Sequence, residues 1–204
     1  AILALTPLVA RDFPQWDARW LYAVQIGAVL AGLTFFAREY AELARPPRLR
    51  QREWVLAAAA GAAVFILWIH LDAPWAMFGE APGFDPTRAD GSLDRALIAV
   101  RIFGAVAVVP VMEELFWRSF ILRWLDRGDF MTLAPAAASL RALLVSSLLF
   151  GLEHHLWLAG ILAGLAYGEL YRRSGSLWPP IAAHALTNLL LGFWVVHTGS
   201  WRFW

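Results

Sequence analysis

The sequence predicts an all-α polytopic membrane protein, a bundle of about six to seven transmembrane helices with an intramembrane polar cavity. The chain is 60% hydrophobic, well above the ~45–50% apolar content of soluble domains, and its mean hydropathy is +0.55. Its apolar residues form runs close to the length of a membrane span, with aromatic residues at the ends of many of them. Ionisable residues lie inside some of these runs, where a functional role is the default interpretation.

The apolar runs predict six complete membrane helices after a partial first one. Residues 1–10 are apolar but too short to span, and we interpret them as the end of a truncated or processed segment. Residues 1–92 are expected to form N-terminal membrane helices without a recognisable motif, and residues 93–204 a helical core that carries the motifs, within one integral membrane domain. The six runs are Trp20–Ala37, Trp54–Leu71, Leu93 to about Leu115, Leu140 to about Leu152, Leu156–Tyr171 and Leu177–Val196.

Charge is distributed unevenly among the connections. Arginines cluster in residues 38–52, 118–141 and 172–173, whereas the connection Asp72–Asp94 is mainly acidic. The positive-inside rule therefore predicts that the arginine-rich loops are cytoplasmic and that Asp72–Asp94 lies outside. Arginine-rich loops suit an anionic inner leaflet, and we expect a bacterial inner membrane. The expected partners are the lipid bilayer and a peptide or protein-tail substrate, with no nucleic acid.

Two residue types are missing, and their absence limits the chemistry. The chain contains no cysteine, which excludes a thiol nucleophile and a thiolate metal site. It contains no lysine either, which excludes Schiff-base and serine–lysine mechanisms.

Two adjacent carboxylates and an arginine lie close together at the end of the third apolar run. Glu114 and Arg118 are i,i+4 neighbours and can form a structural ion pair. Glu113 lies about 100° further around the helix, so this pair does not satisfy it. A buried acid without a partner is a candidate general base.

Two later runs carry a histidine at helical spacing from a second residue, Phe150 with His154 and His184 with Asn188. At ~1.5 Å per residue, Glu113, His154 and His184 lie about 12 to 20 Å from the arginine-rich ends of their runs. They are therefore expected to meet in one cavity near the middle of the bilayer or just cytoplasmic of it. A carboxylate and a histidine can activate a water molecule, and a His/Asn pair can bind the oxyanion of a tetrahedral intermediate.

In combination, these motifs resemble those of a known family, the CPBP intramembrane proteases, which include the type II CAAX prenyl endopeptidase and bacteriocin-processing relatives. The resemblance spans about residues 93–193. The motifs that carry it occur in this order on successive predicted helices: Glu113-Glu114-x-x-x-Arg118, Phe150-x-x-x-His154 and His184-x-x-x-Asn188.

The resemblance implies a role for each matched residue. Glu113 would be the catalytic carboxylate, and His154 would help it to activate water. His184 and Asn188 would form the oxyanion site. The residues that would support the site structurally are Glu114, Arg118 and Phe150.

The sequence therefore predicts an intramembrane endopeptidase that cleaves a membrane-delivered peptide or C-terminal tail without a cofactor. A zinc-dependent intramembrane metalloprotease is the nearest alternative, with Glu113, His154 and His184 as ligands. Against zinc, the sequence lacks His-Glu-x-x-His. Two alternatives from other classes are a transporter whose polar residues line a proton or substrate path, and a non-catalytic membrane scaffold or immunity protein.

Overall fold

The computed structural model describes residues 16–44, 49–79 and 83–204, and this part of the chain is a helical bundle. The predicted all-α membrane fold is confirmed. The interpretation of residues 1–10 falls outside the described residues. Besides a short helical turn at Ala41–Ala44, the α-helices are α1 Leu21–Phe35, α2 Gln51–His70, α3 Arg95–Trp124, α4 Leu140–Leu152, α5 Trp157–Ser174 and α6 Trp178–Thr198.

Each predicted apolar run coincides with one of these helices. Within the described residues, four helices are long and apolar enough to cross a membrane: 18–35, 51–70, 95–124 and 178–198. Helix α4 is apolar but shorter. The last turns of helix α5 are charged, and Glu169 forms ion pairs there with Arg172 (2.8 Å) and Arg173 (2.7 Å).

Local capping interactions set several helix ends. The Asp94 carboxylate accepts hydrogen bonds from two backbone N–H groups in the first turn of α3, and the Ser139 hydroxyl accepts one in the first turn of α4. Helices α5 and α6 end at Gly175 (φ 66°) and Gly199 (φ 68°), in a left-handed conformation that glycine adopts without strain. Only Ser176 and Leu177 then separate Gly175 from α6, so α5 and α6 lie side by side.

Helix α3 is longer than the predicted run. The charged residues end the apolar stretch near Leu115, but the helix continues to Trp124 because the charges find partners inside the bundle. It also contains two wider π-helical segments, Gly104–Val108 and Leu115–Ile121. They flank the segment that carries both acids, and π turns of this kind often occur at functional sites.

Helices α4 and α5 approach each other closely because glycines face the contact. A Cβ atom on Gly164 would lie 2.8 Å from the Cα atom of Ser147, and one on Gly160 would lie 2.9 Å from the Cα atom of Gly151. Such small-residue contacts let the backbones of two membrane helices pack directly. This packing fixes the position of the α4 end, where His154 follows.

The connections between helices gather at two ends of the bundle, which we call the acidic end and the arginine-rich end. At the acidic end, Asp72 pairs with Arg202 (2.6 Å), and the N–H of Phe78 donates to a carbonyl of the α4–α5 turn (2.9 Å). At the arginine-rich end, Glu42 pairs with Arg123 (2.6 Å). Successive connections alternate between these two ends in the predicted order. Which end faces the cytoplasm stays a prediction.

Candidate active site

The polar centre of the bundle is the carboxylate of Glu114, which is fully buried where α3 packs against α6. Its Oε2 atom lies 3.0 Å from Nε of Arg118, which confirms the predicted i,i+4 ion pair. Its Oε1 atom lies 2.9 Å from Nδ1 of His184. Glu114 therefore holds the His184 ring in place and leaves Nε2 as the nitrogen that can act on a ligand.

Aromatic side chains fix the rest of this centre. The His184 ring stacks on Tyr167, with 5.1 Å between ring centroids, and Phe150 meets it edge-on at 6.4 Å. The Tyr167 hydroxyl is hydrogen-bonded to that of Thr187 (2.6 Å). The guanidinium of Arg118 lies over Phe150, 4.4 Å from the ring centroid. The predicted supporting residues Glu114, Arg118 and Phe150 thus pack around one histidine.

Glu113 is in a different position from its neighbour. Its side chain is 20% exposed, and its Oε2 atom lies 4.0 Å from Nε2 of His184. That oxygen is buried and has no hydrogen-bond partner among the described residues. Of the two adjacent acids, one is therefore neutralised inside the protein and the other is available to a ligand.

His154 lies just after the last residue of α4, in the turn that leads to α5. Its Nδ1 atom is 2.7 Å from the carbonyl oxygen of Phe150, so Nδ1–H is the donor and Nε2 is left as an acceptor. The edge of its ring meets Trp68 of α2, with 5.4 Å between centroids. In the neutral ring, Nε2 is therefore the nitrogen that can accept a proton.

Asn188 is held by the π-helical segment of α3. Its Nδ2 atom donates to the carbonyl oxygen of Ala105 (2.7 Å). The neighbouring bond of this segment runs from the N–H of Val109 to the carbonyl of Gly104, five residues earlier. The next such donor would be Pro110, which has no N–H, so the Ala105 carbonyl needs a donor from another helix. The second N–H of the Asn188 amide is not needed for this contact.

A cavity of about 330 Å³ brings the four predicted catalytic residues together. Residues 1–92, which carry no recognisable motif, also contribute side chains to its wall. The residues that line it include Glu113, His154, His184 and Asn188, together with Tyr22, Gln25, Trp68, Arg101, Phe203 and Trp204. The division at residue 92 stays a prediction.

The position of the cavity differs from the prediction of the bilayer middle or its cytoplasmic side. It extends from Glu113 towards the acidic end, because Arg101 precedes Glu113 on α3, Trp68 lies in the last turn of α2, and Phe203 and Trp204 follow α6. The depth of each side chain along its helix can be estimated from the sequence. The side towards which the helices separate cannot, because it depends on how the helices pack.

The candidate zinc ligands Glu113, His154 and His184 all line this cavity. Within residues 16–44, 49–79 and 83–204, however, no three histidine, aspartate or glutamate side chains are grouped so that they could bind one metal ion. Nδ1 of His184 is bonded to Glu114, so only Nε2 of that ring could serve. The expectation of no cofactor stays a prediction, and a chelator experiment below tests it.

Residues 95–190 match a family model described as Rce1-like, type II CAAX prenyl endopeptidase Rce1-like. This part of the chain is therefore similar to that family. The Rce1-like region runs from the first residue of α3 into α6 and contains every predicted site residue. No curated protein and no solved structure matches the chain. The apolar helices and this similarity together indicate an integral membrane protein.

Several residues of the candidate site could not be predicted from the sequence. Tyr167 and Trp68 are aromatic residues within apolar runs, and nothing in their spacing distinguishes them from ordinary core residues. Arg101 did give a signal, because it is a charged residue inside the third predicted run, and such residues are functional candidates by default.

Proposed function

We propose that this protein is an intramembrane endopeptidase that hydrolyses a membrane-delivered peptide or C-terminal tail, using water activated by a glutamate and a histidine. The observation that carries the proposal is the contrast between the two adjacent acids. Glu114 is fully buried, forms an ion pair with Arg118 and is hydrogen-bonded to His184, whereas Glu113 faces the cavity and has only Nε2 of His184, at 4.0 Å, near its Oε2 atom. An acid in this position is poised to accept a proton.

In the proposed reaction, Glu113 removes a proton from a water molecule, and Nε2 of His154 helps to orient that water. The resulting hydroxide adds to the scissile carbonyl carbon. When the tetrahedral intermediate collapses, the C–N bond breaks, and Glu113 gives its proton to the leaving amine. No covalent intermediate and no cofactor is required.

His184 and Asn188 are proposed to bind the oxyanion. Because Nδ1–H of His184 donates to Glu114, the ring can donate from Nε2 only when it carries both protons. The free N–H of Asn188 is the second donor. Preorganised donors of this kind are typically worth ~10²–10³ in rate each.

We also propose that the arginine-rich end faces the cytoplasm of a bacterial inner membrane. The cavity extends towards the acidic end, so a substrate would then enter from the opposite side of that membrane. A bacterial peptide or sorting tail fits this direction of entry.

The proposal is tested by incubating the purified protein, reconstituted in liposomes, with a pool of membrane-anchored peptides in water enriched in a heavy oxygen isotope. Mass spectrometry should find internal cleavage products with one heavy oxygen in each new carboxyl group. A transporter, scaffold or immunity protein would give no products. A strong chelator should leave the rate unchanged, whereas loss of activity and its recovery with added zinc would establish the metalloprotease alternative.

Replacing Asn188 by alanine should lower kcat by ~10²-fold or more with little change in KM, because an oxyanion donor acts in the transition state. It should also lower stability by about 1 kcal/mol, since the Ala105 carbonyl loses its donor. Steady-state kinetics and thermal unfolding measure the two effects separately.

A second substitution separates the two roles of Asn188. Pro110→Ala supplies an N–H five residues after Ala105, so the double variant with Asn188→Ala should regain stability without regaining kcat. Recovery of both quantities would mean that Asn188 acts only by supporting α3.

A further inference from the structure

Arg101 is a cation in the cavity for which the described residues provide no counterion. It lies partly buried in the first turns of α3. Its guanidinium lies 4.3 Å from the ring centroid of Tyr22 and 5.2 Å from that of Phe84. Cation–π contacts replace some of the lost hydration, but they add no negative charge. None of the carboxylates in residues 16–44, 49–79 and 83–204 lies within ion-pair distance of Arg101.

The other two buried arginines of α3 are treated differently. Arg118 is paired with Glu114, and Arg123 is paired with Glu42. A buried cation is costly unless an anion or a set of acceptors satisfies it. Arg101 faces the same cavity as the free carboxylate of Glu113, so a bound ligand can supply the missing negative charge.

We propose that Arg101 is a specificity residue that binds a carboxylate of the substrate; this inference rests on the proposed peptidase function. A guanidinium matches a carboxylate with two parallel N–H···O bonds. Gln25 lines the same cavity, and its buried Oε1 atom has no hydrogen-bond partner among the described residues. This oxygen is thus free to accept a hydrogen bond from a polar group of a ligand in the cavity.

The spacing along α3 limits where this carboxylate lies in the substrate. Arg101 precedes Glu113 by about 18 Å along the helix at ~1.5 Å per residue. An extended peptide covers that distance in roughly five residues. The carboxylate is therefore within about five residues of the scissile bond. It is either the α-carboxylate of a short C-terminal segment or the side chain of an aspartate or glutamate.

Binding of short synthetic probes tests the proposal without requiring cleavage. The probes are an N-acetylated apolar tripeptide with a free C-terminal carboxylate, the same peptide as a carboxamide, and a carboxamide that ends in aspartate. Their Kd values are measured by the fluorescence of the cavity tryptophans in the wild type, Arg101→Gln and Arg101→Lys. Arg95→Gln is the matched control, because Arg95 is an exposed arginine on the same helix that does not line the cavity.

A carboxylate probe should bind the wild type and Arg95→Gln roughly 10- to 100-fold more tightly than the carboxamide. Arg101→Gln should bind both probes equally, and Arg101→Lys should keep part of the preference. The aspartate probe shows which kind of carboxylate is preferred. Equal binding of the acid, the carboxamide and the aspartate probe by the wild type overturns the proposal, and this comparison needs no variant to fold.

Two further outcomes separate this inference from the function it rests on. If phosphatidylglycerol vesicles displace the acid probe from the wild type and Arg101→Gln abolishes the displacement, the ligand is a lipid headgroup and the inference is wrong. If the acid binds through Arg101 but the peptide pool is not cleaved, the peptidase function fails and the carboxylate site remains. Cleavage of the pool with equal rates for acids and carboxamides overturns the site alone.

Discussion

Glu113→Gln is expected to abolish cleavage of the peptide pool and to leave the thermal unfolding temperature nearly unchanged. Glutamine keeps the shape and hydrogen-bonding capacity of the side chain but cannot take a proton from water. Stability should not fall, because the buried Oε2 atom makes no hydrogen bond in the folded protein that the substitution could remove. Product analysis by mass spectrometry and unfolding in detergent give the two quantities.

The matched control for this variant is Glu153→Gln. Glu153 is exposed and directly precedes His154, so the control removes a carboxylate close to the site but outside the proposed chemistry. It should retain wild-type activity. A stable Glu113→Gln protein that still cleaves peptides would show that another group is the base.

Glu114→Gln is expected to have the larger effect on stability, a loss of ~3–5 kcal/mol, which is typical when one partner of a buried ion pair is removed. The substitution leaves Arg118 as a buried charge without its counterion and weakens the contact that holds His184. Cleavage should fall as well, since the oxyanion donor loses its orientation. Denaturant unfolding of the purified protein measures the loss.

A double variant shows whether the buried pair is the cause. Glu114→Gln with Arg118→Met removes both charges, and replacement of a whole buried pair by residues of similar volume is often close to neutral. Most of the lost stability should return, while activity should stay low because His184 still lacks its carboxylate partner. If Glu114→Gln unfolds at the wild-type denaturant concentration, the buried pair contributes nothing to the stability of the protein.

The helices could be predicted from the sequence because the bilayer demands apolar runs of nearly constant length. Helix α4 begins and ends at the predicted residues, Leu140 and Leu152. The end of α3 was predicted less well, because Glu114 and Arg118 look like the end of a run when their partners are unknown. The π-helical segment Gly104–Val108 could not be predicted, since the carbonyl it leaves free is satisfied by Asn188 on a distant part of the chain.

Part of the site could be predicted because helix geometry fixes which residues of one helix are neighbours. Spacing along one helix gives the Glu114–Arg118 pair and the separation of Glu113 from it. The contact between Glu114 and His184 joins residues 70 positions apart, and no local rule predicts it. The direction of the cavity also depends on how the helices diverge, which is a property of their packing. Trp68 belongs to the site for that reason alone.

We propose above that Glu113 makes this protein a peptidase in its own membrane. The most direct test compares the C-termini and N-termini of membrane proteins from cells that produce the wild type with those from cells that produce Glu113→Gln at the same level. We predict a set of new C-termini that the wild type generates and the variant does not, each with an uncleaved counterpart in the variant cells. Identical termini in the two samples would show that Glu113 does not make this protein a peptidase in that membrane.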